Sequence, residues 1–170
     1  MAVGTWVAGI GTLAAVIVAL YLARRVEKVR LKVYVGPRVV VLGDGTPFKK
    51  QIAFSVTNLG ERPVTIESVG WVIGRGKGRR FAIQPVSGPF TSQYPIEIAH
   101  GKGTTFMVSL DEAPNWYREF ATGFVQDLSG DSLRTLVAQI HTSVGQTIEV
   151  HPEKEILDAL KTAAVETRPA

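Results

Sequence analysis

Residues 3–23 read VGTWVAGIGTLAAVIVALYLA, and this stretch decides how the rest of the chain is arranged. It holds 21 residues and no charged side chain. At about 1.5 Å per residue, a helix of this length spans about 30 Å, the thickness of one bilayer core. No basic residue precedes it, as a cleavable signal peptide would require. Residues 1–23 are therefore predicted to be an uncleaved, single transmembrane anchor.

A basic juxtamembrane segment, residues 24–32, follows the anchor and contains five basic residues against Glu27. Basic residues beside a membrane helix stay on the cytoplasmic side, and aromatic side chains favour the headgroup layers at its ends. The sequence thus predicts the bacterial inner (cytoplasmic) membrane, with the N-terminus outside and the rest of the chain in the cytoplasm. The predicted membrane-interface residues are Trp6, Tyr21, Arg24, Arg25, Lys28, Arg30 and Lys32.

Small residues recur at four-residue spacing within the anchor, at Gly11, Ala15 and Ala19. Such stripes let two helix backbones approach closely, so this line is a candidate helix–helix face for a homo-oligomer. Alanine and glycine are also common in membrane helices that make no such contact. Both interpretations remain open at this point.

Residues 33–151 show the short, valine-rich runs and turn signals of strands. Residues 31–35 and 38–42 are predicted as two strands broken by Gly36-Pro37. In residues 51–57 the apolar side chains alternate, which indicates a half-buried strand. In residues 64–74 the apolar alternation slips by one residue near Ser68, which predicts a β-bulge or bend at residues 67–70.

Two helices are predicted outside the strands. Residues 113–126, with Asp111 as N-cap, place Trp116, Phe120 and Phe124 at four-residue spacing. This stripe favours core packing over a ligand groove. Residues 152–170 are predicted to be a short amphipathic helix and a tail, with Ile156, Leu157, Leu160 and Ala164 on its apolar face. Before that helix, residues 143–145 are predicted to be an odd-length hairpin loop with Gly145 in the left-handed conformation.

About eight short strands with regular turns predict an antiparallel β-sandwich. The stretch Val56-Thr-Asn58-Leu-Gly60-Glu-Arg-Pro63-Val-Thr-Ile66 resembles the strand–turn–strand of bacterial immunoglobulin-like sandwiches. The whole layout, including the Thr142–Gly145 hairpin, resembles small bacterial and prophage-encoded membrane-anchored proteins of uncharacterised function. This resemblance implies fold and topology but no active site. The chain lacks the immunoglobulin cysteine pair, although Trp71 fits the role of the core tryptophan.

The residues that carry chemistry do not form a recognised catalytic pattern. The chain has no cysteine and three histidines. In the predicted hairpin, His141 and His151 lie about 13 Å apart along the strands, too far to share one metal ion. Gly76-Lys77 fails the phosphate-loop pattern, because Trp71 stands where the first glycine belongs and Gly78 follows the lysine. We therefore predict a protein that is not an enzyme and uses no metal or cofactor.

A glycine-spaced basic loop, residues 74–80, carries the candidate anion- or partner-binding residues Arg75, Lys77, Arg79 and Arg80. The alternative is a solvated hairpin tip. The chain has a net charge of +4, but this loop and the juxtamembrane segment hold an excess of about eight positive charges. The rest of the chain is therefore acidic, and nucleic acid is a disfavoured partner.

Three functional hypotheses follow. The first is a membrane-anchored, non-enzymatic scaffold or accessory module, of bacterial or prophage origin, that binds another protein. The second is an envelope or virion structural component that assembles through its helix and a sheet edge. The third is a sensor of anionic lipid or nucleic acid that uses the basic loop.

Overall fold

A computed structural model defines the structure of most of the chain. For residues 47–49, 130, 164 and 165 it describes the backbone alone. The described residues are 12–21, 29–43, 45, 47–86, 88–110, 116–126 and 130–165.

The N-terminal apolar stretch is described only in part. Residues 12–21 form helix α1, and their side chains are exposed. Within the described ranges, no helix is both long enough and apolar enough to cross a membrane. The remainder of the predicted anchor, residues 1–11, 22 and 23, lies outside the described residues. The membrane span is therefore not confirmed and stays a prediction.

The domain that follows is mainly antiparallel β-structure with a few helices, as predicted. In the described part of the chain, eight strands run in the order β1 (Leu31–Val41), β2 (Pro47–Asn58), β3 (Val64–Ile73), β4 (Arg80–Ile83), β5 (Ile96–Ile98), β6 (Gly103–Ser109), β7 (Val137–Thr142) and β8 (Thr147–Val150).

The strands form two sheets that share one hydrophobic core. The first sheet has the order β1-β2-β6; the second has the order β4-β3-β7-β8, with β5 also paired to β3. Phe54 of β2 and Trp71 of β3 are both fully buried, and their ring centroids lie 5.2 Å apart in an edge-to-face contact. The two sheets therefore pack face to face through their apolar sides.

The predicted break at Gly36-Pro37 is wrong, because β1 runs through both residues. β1 lies at the edge of its sheet, where proline costs no hydrogen bond to a further strand. Gly36 is buried, and a Cβ at this position would lie 2.0 Å from Oε2 of Glu153. Gly36 therefore leaves room for the side chain of Glu153 and does not end the strand.

The predicted bulge and the predicted apolar face of β2 are confirmed, but the opposite face of β2 is not exposed as the alternation predicted. Ile52, Phe54 and Val56 are buried, Ala53 is buried as well, and Ser55 and Thr57 are half-buried. On β3 the pairing to β7 shifts register between Ile66 and Ser68. The extra residue lets the buried positions slip from even to odd numbers, so that the apolar side chains on both sides of the bulge face the core.

The described residues of the domain also include three helices: α2 (Trp116–Glu119), which continues as the π-helical turn Phe120–Val125, α3 (Gly130–Leu133) and α4 (Lys154–Val165). Trp116 stacks on Phe120 at 4.5 Å, and Phe120 lies 5.3 Å from Trp71. The aromatic stripe therefore packs into the core, as predicted. Residues 111–115, with the predicted N-cap, lie outside the described residues.

Helix α4 packs its apolar face against the same core. Ile156 and Leu160 are fully buried, Leu157 is half-buried, and Ala163 is also buried. The predicted face included Ala164, whose side chain is not described. The hairpin between β7 and β8 has the predicted odd-length loop, and Gly145 has φ +75°.

Candidate binding surfaces at the two ends of the domain

Strand pairing gives the domain two distinct ends. The proximal end is the one at which the N-terminal segment joins: Leu31 pairs with Asn58, and Thr57 pairs with Gly103. It also includes the β7–β8 hairpin, because Thr142 pairs with Ile66 near the start of β3. The distal end carries the loop between β3 and β4. At about 3.3 Å per residue, the ten residues of β3 separate the two ends by about 30 Å.

The basic loop lies at the distal end and folds as a tight turn. Residues Gly76–Gly78 form a 3-10 turn. Gly74 has φ +98°, and a Cβ on it would lie 2.6 Å from the carbonyl oxygen of Gly78. The Gly74 N–H donates a 2.8 Å hydrogen bond to Oγ1 of Thr135. The glycines therefore serve the compact turn itself.

Arg80 is engaged by the helical region instead of facing a partner. Its Nη1 donates to Oε1 of Gln126 at 2.5 Å, and its Nη2 donates to the carbonyl oxygen of Val125 at 2.6 Å. The second acceptor is a carbonyl at the end of the π-helical turn, where backbone acceptors lack a helical partner. Arg80 thus joins β4 to this turn.

Arg79 crosses the outer face of the five-stranded sheet. Its guanidinium lies 5.3 Å from the ring centroid of Phe81 on β4 and forms an ion pair with Glu149 on β8, the opposite edge strand. Val72 and Val137, on the two strands between, are only 1% and 9% exposed. The arginine therefore covers apolar surface as well as pairing its charge.

The Glu149 carboxylate accepts a second hydrogen bond, from Nε2 of Gln139 at 3.0 Å. The hydrogen bond from Arg79 holds the pKa of Glu149 below its usual value; burial opposes this change, and the Gln139 bond adds to it. The carboxylate is therefore stabilised in its charged form, and Arg79 is part of the domain's own structure.

Arg75 and Lys77 differ from Arg79 and Arg80, the other two basic residues of the loop. Both are exposed, and neither side chain forms a hydrogen bond or ion pair within the described ranges. The four basic residues predicted as one binding cluster are thus divided into two structural residues and two exposed ones. Partners that lie 46 and 70 residues away, Gln126 and Glu149, make this division, and no local sequence signal reveals them.

The proximal end is held together by backbone and amide hydrogen bonds. The Arg30 carbonyl oxygen accepts from the N–H groups of Leu59 at 2.7 Å and Gly60 at 3.1 Å. The fully buried Asn58 donates to the carbonyl oxygens of Arg62 and Ile98 and accepts from Gly60 N–H at 2.8 Å. The chain therefore enters the domain at a rigid point.

Exposed basic side chains surround this point. Arg30 and Lys32, both predicted membrane-interface residues, are exposed here, as are Arg62 and Lys102 of the two neighbouring turns. Two large apolar side chains are exposed at the same end. Leu59 is 47% exposed and Val144, at the tip of the β7–β8 hairpin, is 68% exposed.

The remaining predicted site residues fall into two groups. Ala15, Ala19 and Tyr21 lie on α1, where their side chains are exposed. The others lie outside the described residues: Trp6, Gly11, Arg24, Arg25 and Lys28.

The three histidines lie at different places: His100 follows β5, His141 lies on β7 and His151 follows β8. Nδ1 of His141 lies 3.1 Å from Oγ1 of its pairing partner Thr147. Nδ1 of His100 lies 2.8 Å from the Gly60 carbonyl oxygen at the proximal end. Across the described residues, no group of three His, Asp or Glu side chains could hold a metal ion.

Comparison with known proteins adds little. No family model matches the chain, and no curated protein matches it. The X-ray structure of Northeast Structural Genomics Consortium target SoR45 is similar to this chain. The match covers 74% of this chain and 82% of the SoR45 chain, with 11% sequence identity and a TM-score of 0.27. A likeness at that score carries no argument about fold or function.

Proposed function

We propose that this chain is a single-pass, membrane-anchored and non-enzymatic module that binds another protein, as a scaffold or accessory factor of bacterial or prophage origin. Residues 1–23 are the anchor in the inner membrane, with the N-terminus outside and the domain in the cytoplasm. The uncharged length of the anchor and the basic residues on its C-terminal side support this part of the proposal.

The fold that we propose for the domain is immunoglobulin-like. Its strand orders support this, because β1-β2-β6 corresponds to the A-B-E order of that fold and β8-β7-β3-β4 to G-F-C-C′. Trp71 lies on the strand in the C position and is fully buried, like the core tryptophan of immunoglobulin domains. Domains of this architecture serve many functions, so the function is argued from the surfaces.

One observation carries the proposal: Arg75 and Lys77 are exposed at the distal end, about 30 Å from the point where the N-terminal segment joins. An anchor at the proximal end would hold these two charges away from the headgroups of its own bilayer. This arrangement favours an acidic protein surface over anionic lipid as the partner of the loop.

The test is site-specific photo-crosslinking of the full chain in its native membranes. Gly78 is a suitable position for a photoreactive residue because a Cβ there would meet no atom within 4 Å. We expect a crosslinked foreign protein that is lost in an Arg75→Ala, Lys77→Ala variant. The matched control removes two other exposed charges, Lys50→Ala and Arg134→Ala, and should leave the crosslink intact. Equal crosslinking in both variants contradicts the proposal.

A second candidate function is assembly into an envelope or virion structure. The observation that favours it is the edge strand β4, where Phe81 is 64% and Ile83 is 70% exposed. Exposed apolar edge strands pair readily with other chains. Chemical crosslinking in membranes should then yield a ladder of self-contacts that an Ile83→Lys substitution removes. A foreign partner without such a ladder favours the scaffold.

A further inference from the structure

The two exposed apolar tips of the proximal end belong to loops that are far apart in the sequence. Leu59 directly follows β2, and Val144 lies at the turn between β7 and β8. The N–H of Ser143, beside Val144, donates a 3.0 Å hydrogen bond to the carbonyl oxygen of Thr65 at the start of β3. Strand pairing thus brings both tips to the end of the domain at which Arg30 joins.

The charge around these tips is mainly positive. The exposed basic residues of this end are Arg30, Lys32, Arg62 and Lys102. The exposed acidic residues nearby are Glu61, in the same loop as Arg62, Glu97, one residue in from the end of β5, and Glu67, opposite the end of β7. Four positive charges therefore face three negative ones, and the surface keeps a net positive charge that attracts anions.

Both loops are held in place by the hydrogen bonds of Asn58 and of the Arg30 carbonyl oxygen. The hairpin is closed by the Thr142 N–H, which donates to the Gln146 carbonyl oxygen at 3.0 Å. Because the tips are fixed relative to one another, they present apolar and basic groups as one surface, with little ordering left to occur on contact.

We propose that this surface lies directly on an anionic bilayer, with Leu59 and Val144 in the interfacial layer and the basic side chains on lipid headgroups. The inference rests on the proposed anchor. Five residues lie between position 23 and Val29, and the six Cα–Cα steps of a fully extended chain reach only about 20 Å. A tether this short keeps the proximal end at the membrane and raises its effective concentration there.

Because the chain has no cysteine, a single introduced cysteine on this surface can be labelled selectively. Full-length variants Val144→Cys and Leu59→Cys, with Gly78→Cys as the distal control, would each carry an environment-sensitive fluorophore. Each protein would be reconstituted into phosphatidylcholine vesicles with or without phosphatidylglycerol, and a fraction of the lipid would carry a quencher in its upper acyl chain. We expect the labels at 144 and 59 to be quenched at least twofold more than the label at 78, and more strongly with the anionic lipid.

A charge-reversal pair tests the electrostatic part. Arg62→Glu with Lys102→Glu should remove at least half of the quenching at position 144, whereas Lys50→Glu with Arg134→Glu should change it little. If the chain floats with the vesicles but position 144 is quenched no more than position 78, this inference is overturned while the anchor stands. If position 144 is shielded from aqueous iodide without lipid quenching, a second copy of the chain covers the surface and the inference is again overturned. If the chain does not float, both proposals fall.

Discussion

The indole N–H of Trp71 donates a 3.0 Å hydrogen bond to the side-chain oxygen of Gln84 inside the core. Gln84 is itself 7% exposed and lies just after β4. The backbone N–H of Gln84 donates to the Val69 carbonyl oxygen, and the backbone carbonyl oxygen of Gln84 accepts from the Tyr94 hydroxyl at 2.8 Å. One glutamine therefore connects the central tryptophan, strand β3 and the loop that follows β4.

Replacing Gln84 should destabilise the domain strongly for a residue outside any strand. Gln84→Ala leaves the buried indole N–H without its partner, and an unsatisfied buried donor costs about 1–3 kcal/mol. Urea denaturation should show a lower free energy of unfolding by about that amount. The exposed Gln146→Ala is the matched control and should change the free energy by less than about 0.5 kcal/mol. Equal effects of the two substitutions would remove the structural role of Gln84.

Gly36 lies against the side chain of Glu153, which is distant in the sequence, and a Cβ at position 36 would overlap the Glu153 carboxylate. Gly36→Ala would push the Glu153 carboxylate away from Arg38, with which it forms hydrogen bonds of 2.7 Å and 2.5 Å. Because the ion pair is partly exposed, we expect a loss of about 1 kcal/mol in the free energy of unfolding. Gly43→Ala, which meets open space, is the control.

A double-mutant cycle separates this clash from a general effect of alanine on the strand. In a Glu153→Ala background, Gly36→Ala should cost much less than it does alone, because no carboxylate remains to be displaced. An unchanged cost in that background would show that the glycine serves the backbone and not the ion pair.

Alternation and register were accessible from the sequence, whereas the roles of the charged residues were not. The strands, the bulge beside Ser68 and the β7–β8 hairpin follow from local apolar patterns. The break at Gly36-Pro37 was wrongly predicted because the tolerance of an edge strand for proline depends on sheet order. Arg79 was predicted as a binding residue, whereas in the structure it pairs with Glu149. Local sequence patterns do not reveal this pair, because the two residues are far apart in the sequence. Leu59 and Val144 were missed because only strand pairing brings them to one end.

Asn58 should be essential for the proximal end. Asn58→Ala removes hydrogen bonds to Arg62, Ile98 and Gly60 in a fully buried position. At about 1 kcal/mol for each bond, the loss should approach about 3 kcal/mol. Amide hydrogen exchange should become faster at Leu59 and Gly60, whose N–H groups bind the Arg30 carbonyl oxygen. Unchanged exchange at these two amides would contradict a rigid junction at the proximal end.

The two glutamates paired with arginine should make stability fall in acid. Hydrogen bonds from Arg79 and Arg38 lower the pKa values of Glu149 and Glu153 below 4.5 in the folded state. Their contribution is therefore fully present above about pH 4.5 and is lost as the pH falls through the lowered pKa values. Glu149→Gln should cost about 0.5 kcal/mol at pH 7, and this cost should shrink as the pH falls below about 4.5. A cost that does not fall with the pH would mean that the charge of Glu149 contributes nothing.

The central claim is that a membrane anchor holds the proximal end of a cytoplasmic domain whose distal loop is free to meet a partner. It is tested most directly with the full-length Gly78→Cys variant in bacterial cells, using alkaline extraction and a membrane-impermeant maleimide. The account predicts that the chain stays in the membrane pellet and that position 78 is labelled only after the cells are lysed. Release of the chain into the alkaline supernatant, or labelling of position 78 in intact spheroplasts, would contradict it.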